Sequence, residues 1–291
     1  MIRSDLKSFI VLLLLALCTT PVLADSLPEQ PQRAAVSLGA EFSSGEYGTE
    51  ATTRTLYLPL VVTWLPNDRL DLGIEIPFIY QSSSTVTTNL YRAGQTTTTA
   101  QAAGRGGPGG NTQPQTGLAT TSQVSTASTS AVSGLGDMIL RLGVIALLEN
   151  GNVPQLRPSL FVKCPTAKRS KGLGTGEYDA GIGIDAAKWF GKMNLSGEGL
   201  YTWQGRAAGF GLKDYLSWTA GVGYELTEGV RPMLILKGAT APSTSSGNLL
   251  EGRARILWSL GPRTGLDLYA SRGLAASSPD YGGGIAVSYL Y

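Results

Sequence analysis

The chain contains no histidine, only two cysteines and few charged residues, and each shortage excludes a class of protein. Asp, Glu, Lys and Arg make up 15% of its 291 residues, whereas soluble globular domains average about 25%. Without histidine, Ser-His and Cys-His nucleophiles are excluded and the commonest metal ligand is missing. Because no pair of carboxylates forms a recognisable motif either, we predict no enzymatic activity, no catalytic residues, no metal site and no cofactor.

Long apolar runs are also missing, except at the start of the chain. The run "FIVLLLLALC" (9–18) and the small-residue site "PVLA" predict a secretory signal peptide over residues 1–24. A lipoprotein anchored at Cys18 is the alternative, although a bulky leucine precedes that cysteine. Cleavage would leave Cys164 as the one cysteine, which excludes an intramolecular disulfide. Since no later stretch of about 20 apolar residues follows, no transmembrane helix is predicted.

Charge of one sign is not in excess, because the formal net charge is only +2. No polyanion is therefore implied, and we predict no nucleic-acid partner. Glycine is abundant, at 38 residues. A secreted, glycine-rich chain with few charges and no helical span fits either a soluble β-sandwich or a transmembrane β-barrel, whose closed sheet pairs every backbone group within lipid.

The sequence alternates between apolar and polar residues with a period of two. In "RLDLGIEIPFIYQ", every second residue from Leu70 to Tyr80 is apolar, while Asp71 and Glu75 lie on the other face. Such runs reach about 11–13 residues, which is longer than the typical strand of about 5–6 residues and matches the roughly 9–11 residues of a membrane strand. The length of the strands favours the barrel.

Twelve segments of this kind predict an all-β, antiparallel up-and-down barrel in the outer membrane of a Gram-negative cell. They lie near residues 34–45, 54–65, 69–81, 134–148, 155–165, 177–188, 193–204, 214–226, 231–241, 249–260, 264–273 and 281–291. Short and long connections alternate, as expected for periplasmic turns and outer loops. The implied topology gathers aromatic residues into two groups, one at each end of the barrel, which is typical of the two membrane interfaces.

The mature chain therefore divides into a short periplasmic segment (25–33) and a barrel (34–291). A low-complexity tract rich in Ser, Thr, Gly and Gln, residues 82–133, is inserted in the barrel as an extracellular loop. Either this loop is flexible, or part of it folds into the lumen and narrows it.

Charged residues fall on the polar face of the predicted strands. A Lys or Arg that faced lipid near the membrane midplane would cost about 2–4 kcal/mol, so these charges are predicted to face the lumen. The candidate pore-lining residues are Asp71, Glu75, Asp137, Arg141, Arg157, Lys163, Asp179, Asp185, Glu251, Arg253 and Arg255. They form either a plug of mutually neutralised salt bridges or the lining of a wet pore.

Pro59 and Pro77 lie on neighbouring predicted strands, on either side of the turn at Asn67 and Asp68. Counted from that turn, the two prolines are nearly opposite each other. Proline removes a ladder hydrogen bond and is rare inside a closed sheet. The pair is either a bulge that curves the wall or a lateral seam through which an apolar solute leaves into lipid.

Two further features predict surface contacts. Lys168, Arg169 and Lys171 cluster in an outer loop, where they either bind lipopolysaccharide phosphates or form a merely solvated basic loop. The final stretch "GIAVSYLY" alternates and ends on Tyr291, which is similar to the signal read by the barrel assembly machinery, although phenylalanine is usual there.

Two stretches carry a family resemblance. "SGLGDMILRLGV" (133–144) and "VKCPTAKRSKGLGTGEYDAGIGIDAAKWFG" (162–191) resemble the outer-membrane transporter family associated with the meta-pathway of phenol degradation. The matching positions are Gly134, Leu135, Gly136, Asp137, Pro165, Thr166, Gly172, Gly174, Gly176 and Asp179. Cys164 and Ala167 depart from the family's small residue and glycine, and the insert at 82–133 departs from its compact form. The resemblance implies an outer-membrane barrel that passes aromatic or other apolar small molecules.

The expected function is a channel or transporter for a small-molecule solute, in contact with outer-membrane lipid and lipopolysaccharide. The alternative is a non-conducting barrel that serves surface recognition, adhesion or assembly through its long loop. A sheath for a redox partner is a weaker option, because a barrel of twelve strands is narrow for a cytochrome.

Overall fold

The computed structural model describes residues 33–47, 52–82, 86–88, 122–124 and 131–291. The predicted signal peptide (1–24), nearly all of the segment 25–33 and most of the loop 82–133 lie outside the described residues. The strands and their bounds are β1 Arg33–Gly45, β2 Thr53–Asn67, β3 Leu70–Gln81, β4 Val86–Thr88, β5 Ser122–Val124, β6 Val132–Leu135, β7 Met138–Val144, β8 Gln155–Cys164, β9 Asp179–Phe190, β10 Met193–Trp203, β11 Tyr215–Tyr224, β12 Val230–Ala239, β13 Leu249–Ser259, β14 Thr264–Gly273 and β15 Tyr281–Leu290. A single 3₁₀ turn spans Arg169–Lys171.

The main sheet is a closed antiparallel barrel. β1 pairs with β2 on one side and with β15 on the other, so the sheet has no free edge. β6 and β7 both pair with β3 and together act as one wall strand, interrupted at Gly136 and Asp137. The wall therefore has twelve strand positions, which confirms the predicted fold class.

Two details differ from the sequence prediction. The segment 134–148 was expected to be one strand, but the strand is interrupted between β6 and β7. At the interruption, the Asp137 carboxylate accepts a hydrogen bond from the Ala167 backbone N–H. Within the tract 82–133, β4 and β5 pair as a small separate hairpin. Alternation is absent from that stretch, so no strand was predicted there.

Alternating residues separate the two surfaces of the wall. On β2, Thr53, Tyr57 and Thr63 point inward and are buried, whereas Leu56, Leu60 and Trp64 point outward and are exposed. A period of two places successive side chains on opposite faces of a strand. The exposed surface is therefore apolar and the interior polar, the reverse of a water-soluble protein.

Connections differ at the two ends of the barrel. Short turns follow β2, β9 and β13, whereas the connections after β1, β3, β8, β10, β12 and β14 are longer. We call the end of the barrel with the short turns periplasmic and the end with the longer connections outer, following the usual asymmetry of outer-membrane barrels. Outward-facing aromatic side chains occupy both ends. Those at the periplasmic end include Trp64, Phe190, Tyr224, Trp258, Tyr289 and Tyr291, and those at the outer end include Phe42, Phe78, Tyr80, Tyr178, Tyr201, Trp203, Trp218 and Tyr281.

Among the described residues, no helix has the length and apolar character needed to cross a membrane.

Candidate functional site: the inner wall

The polar face of the strands forms the inner wall of the barrel. The predicted pore-lining residues on the strands occupy inward positions, and Asp137 projects inward from the break between β6 and β7. They are buried or half-buried. Most of their ion pairs join neighbouring strands, so ion pairs as well as backbone hydrogen bonds connect the strands of the wall.

Arg157 on β8 is the centre of the first network. Its Nε and Nη2 donate to the Asp71 carboxylate on β3 at 2.5–2.9 Å, and its Nη1 donates to Asp185 Oδ2 at 3.1 Å. To reach Asp71, the guanidinium lies over Gly143 of the intervening strand β7. A Cβ atom at Gly143 would be 1.8 Å from Arg157 Nη2. The network therefore requires glycine at this position.

A second ion pair lies on β3 and β7, towards the outer end. Arg141 Nη1 is 2.8 Å from Glu75 Oε2. The hydroxyl of Tyr57 donates to Glu75 Oε1 at 2.6 Å. The three side chains link β2, β3 and β7 below the outer mouth.

Lys163 on β8 holds the outer mouth together. Its Nζ is 2.7 Å from Asp179 and 3.4 Å from Asp137, and it also donates to the Thr175 hydroxyl at 3.2 Å. Thr175 belongs to the connection 165–178, which we call the mouth loop. The same loop is bound at its start, because the Ala167 N–H donates to Asp137 at 3.0 Å.

The mouth loop folds inward over the top of the barrel. Leu173 and Ala167 are buried against the inward-facing Tyr57 and Ile79. Gly174 leaves room for the contact, since a Cβ there would be 2.7 Å from the Asp137 carboxylate. The motif that carries the family resemblance thus encodes this loop and its attachment. From the sequence, only the tract 82–133 was predicted as a segment that could fold into the lumen. The packing of Leu173 was not predicted, because it is a single apolar residue between glycines.

On the opposite side of the barrel, a third group joins β13, β14 and β1. Glu251 accepts from Arg253 Nε at 2.6 Å, and Arg255 Nε donates to Asp267 at 2.8 Å. The Tyr269 hydroxyl donates to Glu41 at 3.3 Å. As at Gly143, the side chain crosses a glycine, since a Cβ at Gly284 would be 2.4 Å from the Tyr269 hydroxyl.

Pro59 and Pro77 face each other on β2 and β3 and are both buried inside the wall. Neither has an N–H, so they form a non-hydrogen-bonded pair whose backbone groups point away from each other. The Pro77 carbonyl accepts from the Gly136 N–H at 2.8 Å. The β2–β3 ladder runs through the pair, and its register shift lies instead between Trp64 and Asn67. The β2–β3 ladder therefore has no bulge at the two prolines.

The ladders on both flanks of the proline pair are interrupted. Between β1 and β2, the paired residues are Leu38 with Leu60 and then Glu41 with Tyr57, and the two positions between these pairs are not paired. Between β3 and its other neighbour the register passes from Glu75–Ile139 to Phe78–Leu135. Both gaps lie level with the prolines, so the wall has few backbone bonds there.

The basic residues of the mouth loop are partly engaged within the protein. Arg169 donates to the Ala208 carbonyl at 3.3 Å and lies over the Phe210 ring, 5.6 Å from its centroid. Lys171 Nζ is 3.5 Å from the Ser133 carbonyl oxygen. Lys168 is exposed. Lipopolysaccharide contact at this cluster stays a prediction.

Two inward charged residues, Glu41 and Arg231, were not predicted from the sequence. Glu41 follows Ser37 and Gly39 at alternate positions, and Arg231 precedes Met233 at the same spacing, so period two carried the signal. Arg231 was missed because it lies at the start of its predicted segment, 231–241, where the boundary is uncertain. Within the ranges the structure describes, no group of three or more Cys, Asp or Glu side chains is arranged to hold a metal ion.

Comparison with solved structures shows the same fold in an outer-membrane channel. The chain is similar to the COG4313 outer membrane channel from Pseudomonas putida F1, with a TM-score of 0.57 and 14% identity over 94% of this chain and 100% of that one. More distant are the CymD monoaromatic hydrocarbon channel (TM-score 0.45, 9% identity, 90% of this chain and 88% of that one) and the KdgM porin in complex with oligogalacturonate (0.48, 6%, 88% and 98%). At those scores neither supports an inference.

No curated protein sequence matches the chain. A family model does: it matches residues 77–291, well over half of the chain, and includes both stretches that carry the resemblance. With its apolar outer surface, two aromatic girdles and polar interior, the protein is a β-barrel of the outer membrane. The chain belongs to the family described as "Putative MetA-pathway of phenol degradation".

Proposed function

We propose that the protein is an outer-membrane channel for small molecules, and that apolar or aromatic compounds are among its solutes. The observation that carries this proposal is the unused hydrogen-bonding capacity of the inner wall. Ser37, Thr63, Asn194 and Ser271 are buried polar side chains whose hydroxyl or amide atoms have no hydrogen-bond partner within the described part of the chain. Buried polar groups are normally satisfied, so these favour a hydrated interior over a fully self-neutralised plug.

The inner surface changes character along one arc of the wall. At the outer end of β2 and β3, Tyr57 and Ile79 pack with Leu173 of the mouth loop. The proline pair follows directly below. One step further down, Glu75 and its partner Arg141 present charge. An apolar solute that displaced Leu173 from this arc would meet apolar contacts down to the prolines and a desolvation cost below them.

A lateral exit at Pro59 and Pro77 follows from that arrangement. Sheet edges within lipid are costly because backbone groups lose their partners. At this level both flanking ladders are already interrupted, so separating the strands there breaks fewer hydrogen bonds than elsewhere. We place the seam on the flanks of the pair, between β1 and β2 or between β3 and the β6–β7 strand.

Two surface contacts complete the proposal. Lys168, Arg169 and Lys171 lie at the outer end, where lipopolysaccharide phosphates are available for charge-assisted hydrogen bonds. The C-terminal end of the chain, β15 and the residue after it, exposes Val287, Tyr289 and Tyr291, and this is the surface we propose for the assembly machinery.

Single-channel recording in planar bilayers tests the channel. The folded protein is expected to give steady ion-conducting steps, since a hydrated lumen passes small ions even when larger solutes prefer another route. A silent barrel that binds a surface partner through residues 82–133 would overturn the proposal in favour of a recognition or adhesion role. Heat-denatured protein serves as the control.

A further inference from the structure

Arg231 occupies an unusual position at the periplasmic end of the inner wall. It lies on β12 and points inward, in alternation with Met233. Its aliphatic stem crosses Gly223 of β11, where a Cβ would be 3.3 Å from Arg231 Cδ. The guanidinium then lies over the Trp189 ring of β9, with 4.5 Å between its carbon and the ring centroid.

The strand between them contributes Asn194. Asn194 pairs in register with Trp189 on one side and with Gly223 on the other, so it lies beneath the Arg231 side chain. It is completely buried, and neither its amide oxygen nor its amide nitrogen has a partner. The Nε of Arg231 is likewise buried without a partner.

Arg231 also lacks an ion pair within the described part of the chain. Five other inward cations do have one: Arg141, Arg157, Lys163, Arg253 and Arg255 each bind a carboxylate. Glu225 and Arg255 act on Arg231 electrostatically but do not pair with it, and Arg255 is itself neutralised by Asp267. The Arg231 guanidinium is thus held in place at this mouth with no carboxylate bound directly to it among the described residues.

The arrangement fits a particular kind of anion. A planar guanidinium matches a carboxylate through two parallel hydrogen bonds, and the stacked Trp189 ring fixes its plane. A single guanidinium carries one charge, which matches a monoanion, whereas a phosphate carries about 1.5–2 charges at neutral pH. We propose that Arg231, held by Trp189 and Asn194, forms a binding subsite for small organic monocarboxylates at the periplasmic mouth. The subsite rests on the proposed function in one respect, because its ligand reaches Arg231 through the lumen.

Equilibrium titration of the detergent-solubilised full barrel with benzoate tests the subsite. Benzoate is expected to bind the parent protein, and Arg231→Gln is expected to weaken binding about tenfold or more, the loss of a charge-assisted hydrogen bond. Arg231→Lys keeps the charge but not the fork, so an intermediate loss is expected. Benzyl alcohol, which has the same ring without the charge, is expected to show no dependence on residue 231, and inorganic phosphate is expected to bind more weakly than benzoate.

Lys192→Gln is the matched control, because it removes one positive charge from an exposed turn at the same end of the barrel. An equal loss of benzoate affinity in Lys192→Gln and Arg231→Gln would reduce the effect to long-range charge and overturn the subsite. Unchanged affinity in Arg231→Gln would also overturn it. Folding of each variant is checked by heat-modifiable electrophoretic mobility, and Trp189→Leu gives a second test if Arg231→Gln does not fold.

Failure of the channel and failure of the subsite are distinguishable. Arg231-dependent benzoate binding by a barrel that is silent in bilayers supports the subsite and contradicts conduction. Conduction with benzoate affinity independent of Arg231 supports the channel and contradicts the subsite.

Discussion

Arg157 and Asp71 form an ion pair across an intervening strand, with 2.5 Å between Arg157 Nη2 and Asp71 Oδ1. The pair exists because Gly143 on β7 leaves the space that the guanidinium fills. Breaking a buried pair leaves an uncompensated charge, which is costly.

We therefore expect Gly143→Ala to destabilise the barrel by about 3 kcal/mol or more, because its methyl group displaces Arg157. The measurement is the free energy of unfolding from urea titration in lipid vesicles. Gly199→Ala is the control: Gly199 is an outward strand glycine whose Cβ would meet nothing within 4 Å, so a change within about 0.5 kcal/mol is expected. Combining Gly143→Ala with Asp71→Asn should cost less than the sum of the two changes, and strict additivity would contradict the displacement.

Lys163→Met is expected to release the mouth loop, because Asp137 and Asp179 lose the cation between them. Hydrogen exchange at the Ala167 amide reports the release, since that N–H donates to Asp137. Faster exchange over residues 165–178 is expected. Lys171→Met, in the same loop but at an exposed position, should leave exchange at Ala167 unchanged. Equal protection in Lys163→Met and the parent would show that the apolar contacts of Leu173 alone hold the loop.

Replacing both prolines of the pair restores backbone N–H groups to the interrupted ladders. Pro59→Val with Pro77→Val should slow uptake of an apolar solute into vesicles and leave ion conductance unaltered, because the lumen keeps its charges. Pro158→Val is the matched control, since Pro158 is an exposed strand proline away from the pair. Uptake at the parent rate in the double variant would contradict a lateral route.

Leu234 lies midway along β12 and is 65% exposed on the outer surface. In lipid, Leu234→Arg should cost about 2–4 kcal/mol, the price of an arginine near the midplane. Leu148→Arg, at an exposed position of the periplasmic connection 145–154, should cost about 0–1 kcal/mol. Both values come from urea titration of the barrel in vesicles, and equal costs at the two positions would contradict the membrane placement.

The sequence was sufficient to predict the barrel, its strand number and the inward face of the candidate pore-lining charges, although it missed Glu41 and Arg231. Period two carries this information directly, because lipid outside and polar groups inside impose opposite chemistry on successive residues. The facing of Pro59 and Pro77 was predictable for a related reason: both are counted from the same short turn, which sets their register.

Which charges bind each other was not predictable in the same way. Arg157 meets Asp71 only because β8 lies two strands from β3 and Gly143 lies between them. That contact depends on three-dimensional register, and the glycine is indistinguishable in the sequence from many others. The outer loop that carries Lys168, Arg169 and Lys171 was predicted, but its inward packing was not, since Leu173 is one apolar residue in a glycine-rich stretch.

Side chains that cross a glycine tie neighbouring strands together at several places, and two of these places are around Gly143 and around Gly284. These two braced sectors are separated by the contact between β1 and β2, where Gly39 faces Pro59 and the ladder is interrupted. The wall is therefore expected to be more compliant between β1 and β2 than in either of these two braced sectors. The barrel can deform there while both braced sectors keep their shape.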